Sequence, residues 1–184
     1  MKAAVFLDRD GTLNEEVGYL HRPEEVVLVP GAAQAIARLN ALGVPVVVVT
    51  NQAGIGRGTY GWEDFQAVTG RIAELLAAEG AHLDAVYAAP HHERGLGEYQ
   101  HPDHPDRKPN PGMLLKAAAE HGLDLAASWM IGDKELDLEA GRRAGCRTAL
   151  VLTGYGREAD PAMADLVAPD LGGVVEAILA AWPR

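Results

Sequence analysis

The chain of 184 residues has a single cysteine, Cys146, so no intrachain disulfide can form. That scarcity fits a reducing compartment and predicts a cytoplasmic location. No apolar run approaches the roughly 18 residues that a membrane helix needs. The start, Met1-Lys2-Ala3-Ala4-Val5, lacks a secretory apolar core or cleavage site, so no signal peptide is expected. Positive charge is also in short supply, with 16 Lys and Arg against 26 Asp and Glu and a formal charge of -10. Nucleic acids and anionic membranes attract basic patches, so neither is an expected partner.

What is present is an ordinary globular composition, 48% hydrophobic and 23% charged, with enough length for one domain and a substantial core. Apolar β-branched runs alternate with amphipathic stretches, the pattern of βαβ units. A single α/β domain over 1–184 follows, a three-layer, doubly wound (Rossmann-like) parallel sheet with helices on both faces. Strands are expected at 3–7, 44–49, 83–88, 128–131, 148–152 and 166–168, and helices at 31–42, 62–78, 111–121, 134–144 and 173–182. Pro111 at a helix start, and Gly43, Gly80, Gly122 and Gly145 just past helix ends, support these boundaries. The irregular segment 89–110 is long for a compact domain, which marks it as functional or metal-organised.

The most informative stretch is Phe6-Leu7-Asp8-Arg9-Asp10-Gly11-Thr12-Leu13. If the preceding apolar run is a buried parallel strand, Asp8 emerges at its carboxyl end, where open α/β sheets place their ligand crevice. Asp10 lies one step further on, close enough to share a leaving group or a metal with Asp8. An Asp-Gly turn after a strand is the plainer alternative for the pair. Other predicted strand ends carry polar groups too. The second runs into Thr50-Asn51-Gln52 and a glycine-rich loop with one Arg, Ala53-Gly54-Ile55-Gly56-Arg57-Gly58. Arg107-Lys108-Pro109 precedes a helix, and the fourth strand ends in Gly132-Asp133-Lys134 with Asp137 close behind. Convergence of these ends on one crevice is the argument for a site. A phosphate reaching so acidic a chain needs local cations, from a divalent metal and placed Lys or Arg residues.

Asp8-x-Asp10-Gly-Thr, Thr50, Lys108 and Gly132-Asp133 with Asp137 together resemble the four ordered motifs of the haloacid dehalogenase (HAD) superfamily of phosphohydrolases. The segments Phe6 to Asn14, Thr50 to Gly58 and Arg107 to Met113 are most similar to its histidinol-phosphatase-like branch. The resemblance implies that Asp8 is the nucleophile, forming an aspartyl-phosphate, and that Asp10 is the acid and then the base. It implies a Mg²⁺ held by the Asp8 carboxylate, the Asp10 carbonyl and Asp133, with Thr50 and Lys108 on the remaining phosphoryl oxygens. Asp137 would orient Lys108 or support the metal. Glu16, Val17, Gly18, Tyr19, Asn51, Gln52, Ala53 and Arg107 would contact the rest of the substrate, with Lys134 near metal and phosphate. For residues 16–19 an ordinary surface loop is the competing reading. No insertion is large enough for a separate cap domain, so loops alone should shield the site.

The implied substrate is a small phosphorylated metabolite, first the C7 phosphate of a heptose bisphosphate, with histidinol phosphate the nearest alternative. A catalytically silent binding protein on the same fold is a third reading, and a monomer is expected. One departure stands out. The heptose-phosphatase members of the branch usually hold zinc in the loop before the Arg-Lys motif through a Cys-x-His and a Cys-x-Cys pair. The matching positions here are Ala89-x-His91 and His104-x-Asp106. Two readings stand: a mixed site using His91, His104 and Asp106, with His92, His101 and Asp103 nearby, or a loop braced by Pro90, Pro102, Pro105 and Pro109 without an ion. Cys146 reads as a small core residue.

Overall fold

The computed structural model describes residues 1–182, so the last two residues of the expected domain lie outside the described residues. Its elements in chain order are β1 (Val5–Leu7), α1 (Ala32–Ala41), β2 (Val46–Asn51), α2 (Ala53–Gly56), α3 (Trp62–Ala78), β3 (Ala85–Ala89) and α4 (Gly112–His121). They continue with β4 (Trp129–Gly132), α5 (Glu135–Ala144), β5 (Arg147–Val151), β6 (Leu166–Ala168) and α6 (Leu171–Ala180). All six strands join one parallel sheet in the order β3-β2-β1-β4-β5-β6. The order reverses direction at β1, which has β2 on one side and β4 on the other. Open α/β sheets bind ligands at such a switch point.

Period-two alternation explains why both sheet faces are covered. Val5, Leu7, Val46, Val48, Trp129 and Ile131 pack on one side with the buried faces of α1, α3 and α6. Phe6, Val47, Val49 and Met130 pack on the other with Met113, Leu114 and Ala117 of α4 and Ala140 of α5. The expected strands and helices are thus present, with boundaries moved by a few residues. β2 runs two residues further than expected because Thr50 and Asn51 pair with Ala88 and Ala89 of β3. The short helix α2 inside the glycine-rich loop is too brief to show any periodicity.

The two long connections, 8–31 and 90–111, contain only short 3₁₀ turns at Pro23–Glu25 and Gly97–Tyr99. The first leaves the carboxyl end of β1 at the switch point, and the second leaves the edge strand β3 and brings Lys108 back to Asp8. Among the described residues, no helix is long and apolar enough to cross a membrane.

Candidate active site

Asp8 follows β1, and its backbone N–H donates to Ile131 O of β4 at 2.9 Å, which fixes the chain as it leaves the sheet. The carboxylate is buried and faces Lys108, whose Nζ lies 2.8 Å from Asp8 Oδ1. Lys108 is itself buried, and its ammonium also meets Val49 O at 2.8 Å and Asp137 Oδ1 at 2.7 Å. Three acceptors match its three donors. Burial works against the ammonium, but the Asp137 and Asp8 carboxylates outweigh it and hold Lys108 above the ordinary lysine range. Burial likewise pushes Asp8 up, and the Lys108 and Lys134 charges overcome it, leaving this carboxyl below its usual value.

Asn51 docks the Lys108 backbone from β2, accepting from Lys108 N at 2.9 Å and donating to Lys108 O at 2.9 Å. Its amide is therefore committed to placing the lysine. Asp137 sits on the first turn of α5, where its Oδ2 accepts from Lys134 N at 3.0 Å, an N-terminal capping contact. Asp137 thus orients Lys108 while its own carboxyl, buried and close to Asp8, is pushed up to about 6.

Asp8, Asp133 and Asp137 each offer a ligand atom within 4.8 Å of the others, the one such group of three among the described residues. Asp133 Oδ2 accepts from Tyr155 N at 2.8 Å, whereas its buried Oδ1 has no hydrogen-bond partner. An unsatisfied buried carboxylate oxygen is costly, and burial together with the Asp8 charge pushes Asp133 up to about 7. A divalent cation would satisfy that oxygen, so the donor set fits Mg²⁺, which prefers hard carboxylate ligands. Gly11, at φ 88°, allows the approach, since any side chain there would collide with the Asp133 carboxylate.

The Asp10 side chain turns away from this cluster. Arg9 straddles both its oxygens at 3.0–3.2 Å, Asn14 Nδ2 donates to Oδ1 at 3.0 Å, and Gln52 Nε2 donates to Oδ2 at 3.2 Å. Thr50 Oγ1 accepts from Gln52 Nε2 at 2.9 Å, and its one donating contact, to Asn51 O, is long at 3.5 Å. Its hydroxyl proton is therefore available to an incoming oxygen.

These groups open on a cavity of about 280 Å³, at the small end of ligand pockets. Of the residues expected around it, Asp8, Asp10, Glu16, Gly18, Tyr19, Thr50, Asn51, Gln52, Ala53, Arg107, Lys108 and Lys134 all line it. Asp133 sits behind Gly11 in the cluster just described, and Val17 points outward with 51% of its surface exposed. Glu16 and Lys134 face each other across the rim at 3.5 Å, and Arg107 is tethered by donating from Nη1 to His91 O at 3.0 Å. The structure adds Tyr60 and Leu136 to the lining, and Arg9 and Asn14 behind it, none of which the sequence reading assigned a role.

Among the described residues, the four positions at which the branch carries zinc ligands are not in a group of three whose ligand atoms all lie within 4.8 Å of one another. Ala89 ends β3, wholly buried in the apolar layer with Val49 and Met113. The His91 and His104 rings stack at 3.4 Å with planes 5° apart, and the buried His91 Nδ1 has no hydrogen-bond partner. His104 Nδ1 already accepts from Asp106 N at 3.1 Å. Backbone bonds close the loop, His92 N to Tyr99 O at 3.0 Å and Leu96 N to Gly56 O at 2.7 Å among them.

Residues 106–174 match the family described as HAD-hydrolase-like. The D-glycero-D-manno-heptose-1,7-bisphosphate 7-phosphatase of Thermosynechococcus vestitus is 45% identical over 186 residues, covering 95% of this chain and 94% of that protein. The chain belongs to the HAD-like phosphatases. Within that family, the D-glycero-beta-D-manno-heptose-1,7-bisphosphate 7-phosphatase of Mesorhizobium japonicum is 52% identical over 151 residues, 82% of this chain and 70% of the relative. The crystal structure of D,D-heptose 1,7-bisphosphate phosphatase from B. bronchiseptica, complexed with magnesium and phosphate, superposes with a TM-score of 0.87 at 35% identity, covering 98% of this chain and 99% of that one.

Proposed function

We propose that this HAD-like phosphatase removes the C7 phosphate of D-glycero-D-manno-heptose 1,7-bisphosphate, with Mg²⁺ as its metal and an aspartyl-phosphate on Asp8 as intermediate. The observation that carries the reading is the Asp8–Lys108–Asp137 ion cluster, buried at the sheet's switch point beside an Asp10 that faces the same cavity. The relatives' names supply the substrate, and the magnesium and phosphate in the B. bronchiseptica structure support the metal.

Asp8, kept ionised by Lys108 and Lys134, attacks phosphorus as the bond to the sugar oxygen breaks. Asp10 delivers its proton to that oxygen, which leaves as the alcohol. The Asp10 carboxylate then takes a proton from water, whose oxygen attacks phosphorus and releases inorganic phosphate and Asp8. Lys108 Nζ and the Thr50 hydroxyl hold equatorial oxygens through both displacements. A Mg²⁺ bound by Asp8, Asp133 and the Asp10 carbonyl supplies charge neutralisation between the carboxylates and the phosphate. Arg107, Tyr19, Glu16 and Lys134 form the rim that meets the sugar and its second phosphate.

Phosphate release with Mg²⁺ from both anomers of the heptose bisphosphate, histidinol phosphate and a panel of sugar monophosphates, each with an EDTA control, tests the reading. The expected result is a kcat/KM at least about 100-fold higher on the heptose bisphosphate, about 2.7 kcal/mol of differential transition-state binding. A comparable preference for histidinol phosphate, or activity unaffected by EDTA, would overturn it.

A further inference from the structure

The glycine-rich loop 53–58, which folds as α2 over Ala53–Gly56, shapes the site through a residue that follows it. It returns the chain so that Tyr60, itself only 8% exposed, points its hydroxyl at Gln52 Oε1. Gln52 is buried as well, and its Nε2 donates to Asp10 Oδ2 at 3.2 Å and Thr50 Oγ1 at 2.9 Å. We propose that Tyr60, acting through Gln52, is a positioning residue for the Asp10 carboxylate.

An amide side chain has a donor end and an acceptor end of nearly identical shape, and its neighbours decide which way it faces. Flipped, Gln52 would set its carbonyl oxygen against the Asp10 carboxylate, lone pairs against lone pairs. The acceptor-only carboxylate itself favours the nitrogen, while Thr50 Oγ1 can meet either end of the amide. The phenol anchors the far end, because its O–H donates to Oε1 and so holds the amide in place with its nitrogen on Asp10. Burial pushes the Tyr60 hydroxyl up to about 12, so it stays a donor at working pH. The ring itself is locked. It lies against Gly54, where any Cβ would collide with it, and the His21 ring stacks on it at 5.7 Å with planes 9° apart. Gln52 then closes one side of a grip on Asp10 that Arg9 and Asn14 complete. Gln52, expected among the substrate contacts, spends both amide hydrogens inside the protein.

The proposal rests on the reading of Asp10 as acid and base, and its test separates the two. Tyr60→Phe, Gln52→Leu and the double variant are compared with the parent on the heptose bisphosphate, and on p-nitrophenyl phosphate, whose leaving group departs without a proton. Tyr60→Phe should lower kcat on the sugar ester about 5- to 10-fold, roughly 1–1.4 kcal/mol, with KM within about 2-fold. Gln52→Leu should cost more, and the double variant should match it within about 2-fold, because the phenol then has nothing to orient. On the aryl ester kcat/KM should barely change, since bond cleavage there needs no acid. Multiplicative losses in the double variant, equal losses on both esters, or an unaltered Tyr60→Phe would overturn the proposal. A parent that releases phosphate from neither ester would instead refute the phosphatase reading. Unchanged thermal melting of Tyr60→Phe separates positioning from lost stability.

Discussion

Lys108→Met is the perturbation that tests the electrostatic account of the site most directly. Methionine keeps much of the apolar stem and deletes only the charge that meets Asp8 Oδ1 at 2.8 Å and Asp137 Oδ1 at 2.7 Å. Removing one partner from a buried ion pair costs about 3–5 kcal/mol, because the survivor is left charged and dry. Two carboxylates are stranded here, yet the protein can relieve one of them by taking up a proton. The cost therefore depends on pH, and its sign follows from Asp8. In the parent its carboxyl is held low, so it contributes stability above its ordinary value that is lost as pH falls. Without Lys108 the burial that opposes ionisation prevails, the folded-state value rises, and the contribution becomes one that is lost as pH rises. Asp137, already pushed up to about 6, moves the same way. In EDTA at pH 8 the Tm should fall by about 6–20 °C, from 2–4 °C per kcal/mol for a domain of this size, and by clearly less at pH 5. A deficit that is flat between these values, or larger at pH 5, would refute the reasoning and leave Lys108 as packing.

Asp8→Asn should abolish turnover while leaving the fold intact, and residual steady-state activity above about one part in a thousand would remove Asp8 as nucleophile. Asp10→Asn should slow both phosphoryl transfer and hydrolysis by roughly 10²–10⁴-fold in rapid-quench kinetics. Mg²⁺ affinity by calorimetry should rise with pH through about 7, with proton release, because Asp133 is pushed up to about 7 by burial and by Asp8. Its raised value means that the metal-free protein loses this group's contribution as pH rises, so stabilisation by Mg²⁺ should grow over the same window; pH-independent affinity would contradict this. The Cys146 thiol, pushed up to about 12 by burial, should resist a disulfide reagent at pH 8 until the protein unfolds.

Much of this site is legible in the sequence because parallel α/β sheets bring polar residues at strand ends to one edge. Asp8, Thr50 and Asp133 needed only the apolar runs before them to be placed. Their neighbourhood was not in the local pattern: β1 lies between β2 and β4, and only that order sets Asp8 beside Asp133 and Asp137. Orientation was less accessible still. Asn51 and Gln52 both line the cavity as expected of substrate contacts, and in addition the amide of one holds the Lys108 backbone and that of the other donates to the Asp10 carboxylate. An amide's partner is a tertiary fact, and two adjacent amides in a sequence look alike. Tyr60 had one local trace, the glycines upstream, but a glycine says only that something passes close, not what. Ala89 was readable as a missing ligand, though not as the core residue that ends β3.

The charge count of the site explains why a chain this acidic can still take a phosphate. Asp8, Asp133 and Asp137 face only the Lys108 and Lys134 ammonium groups, and Arg9 is already engaged by Asp10. A phosphate dianion entering that set would meet net negative charge in a partly buried pocket, where Coulomb energies are several-fold larger than in water. Burial first and the Asp8 charge second push both Asp133 and Asp137 upward, and Asp133 Oδ1 has no partner. A single divalent cation satisfies the orphaned oxygen and offsets most of that excess at once. The protein does not reduce its own acidity to admit an anion. It concentrates carboxylates that a divalent cation would bind, and keeps one lysine buried among them so that Asp8 remains ionised.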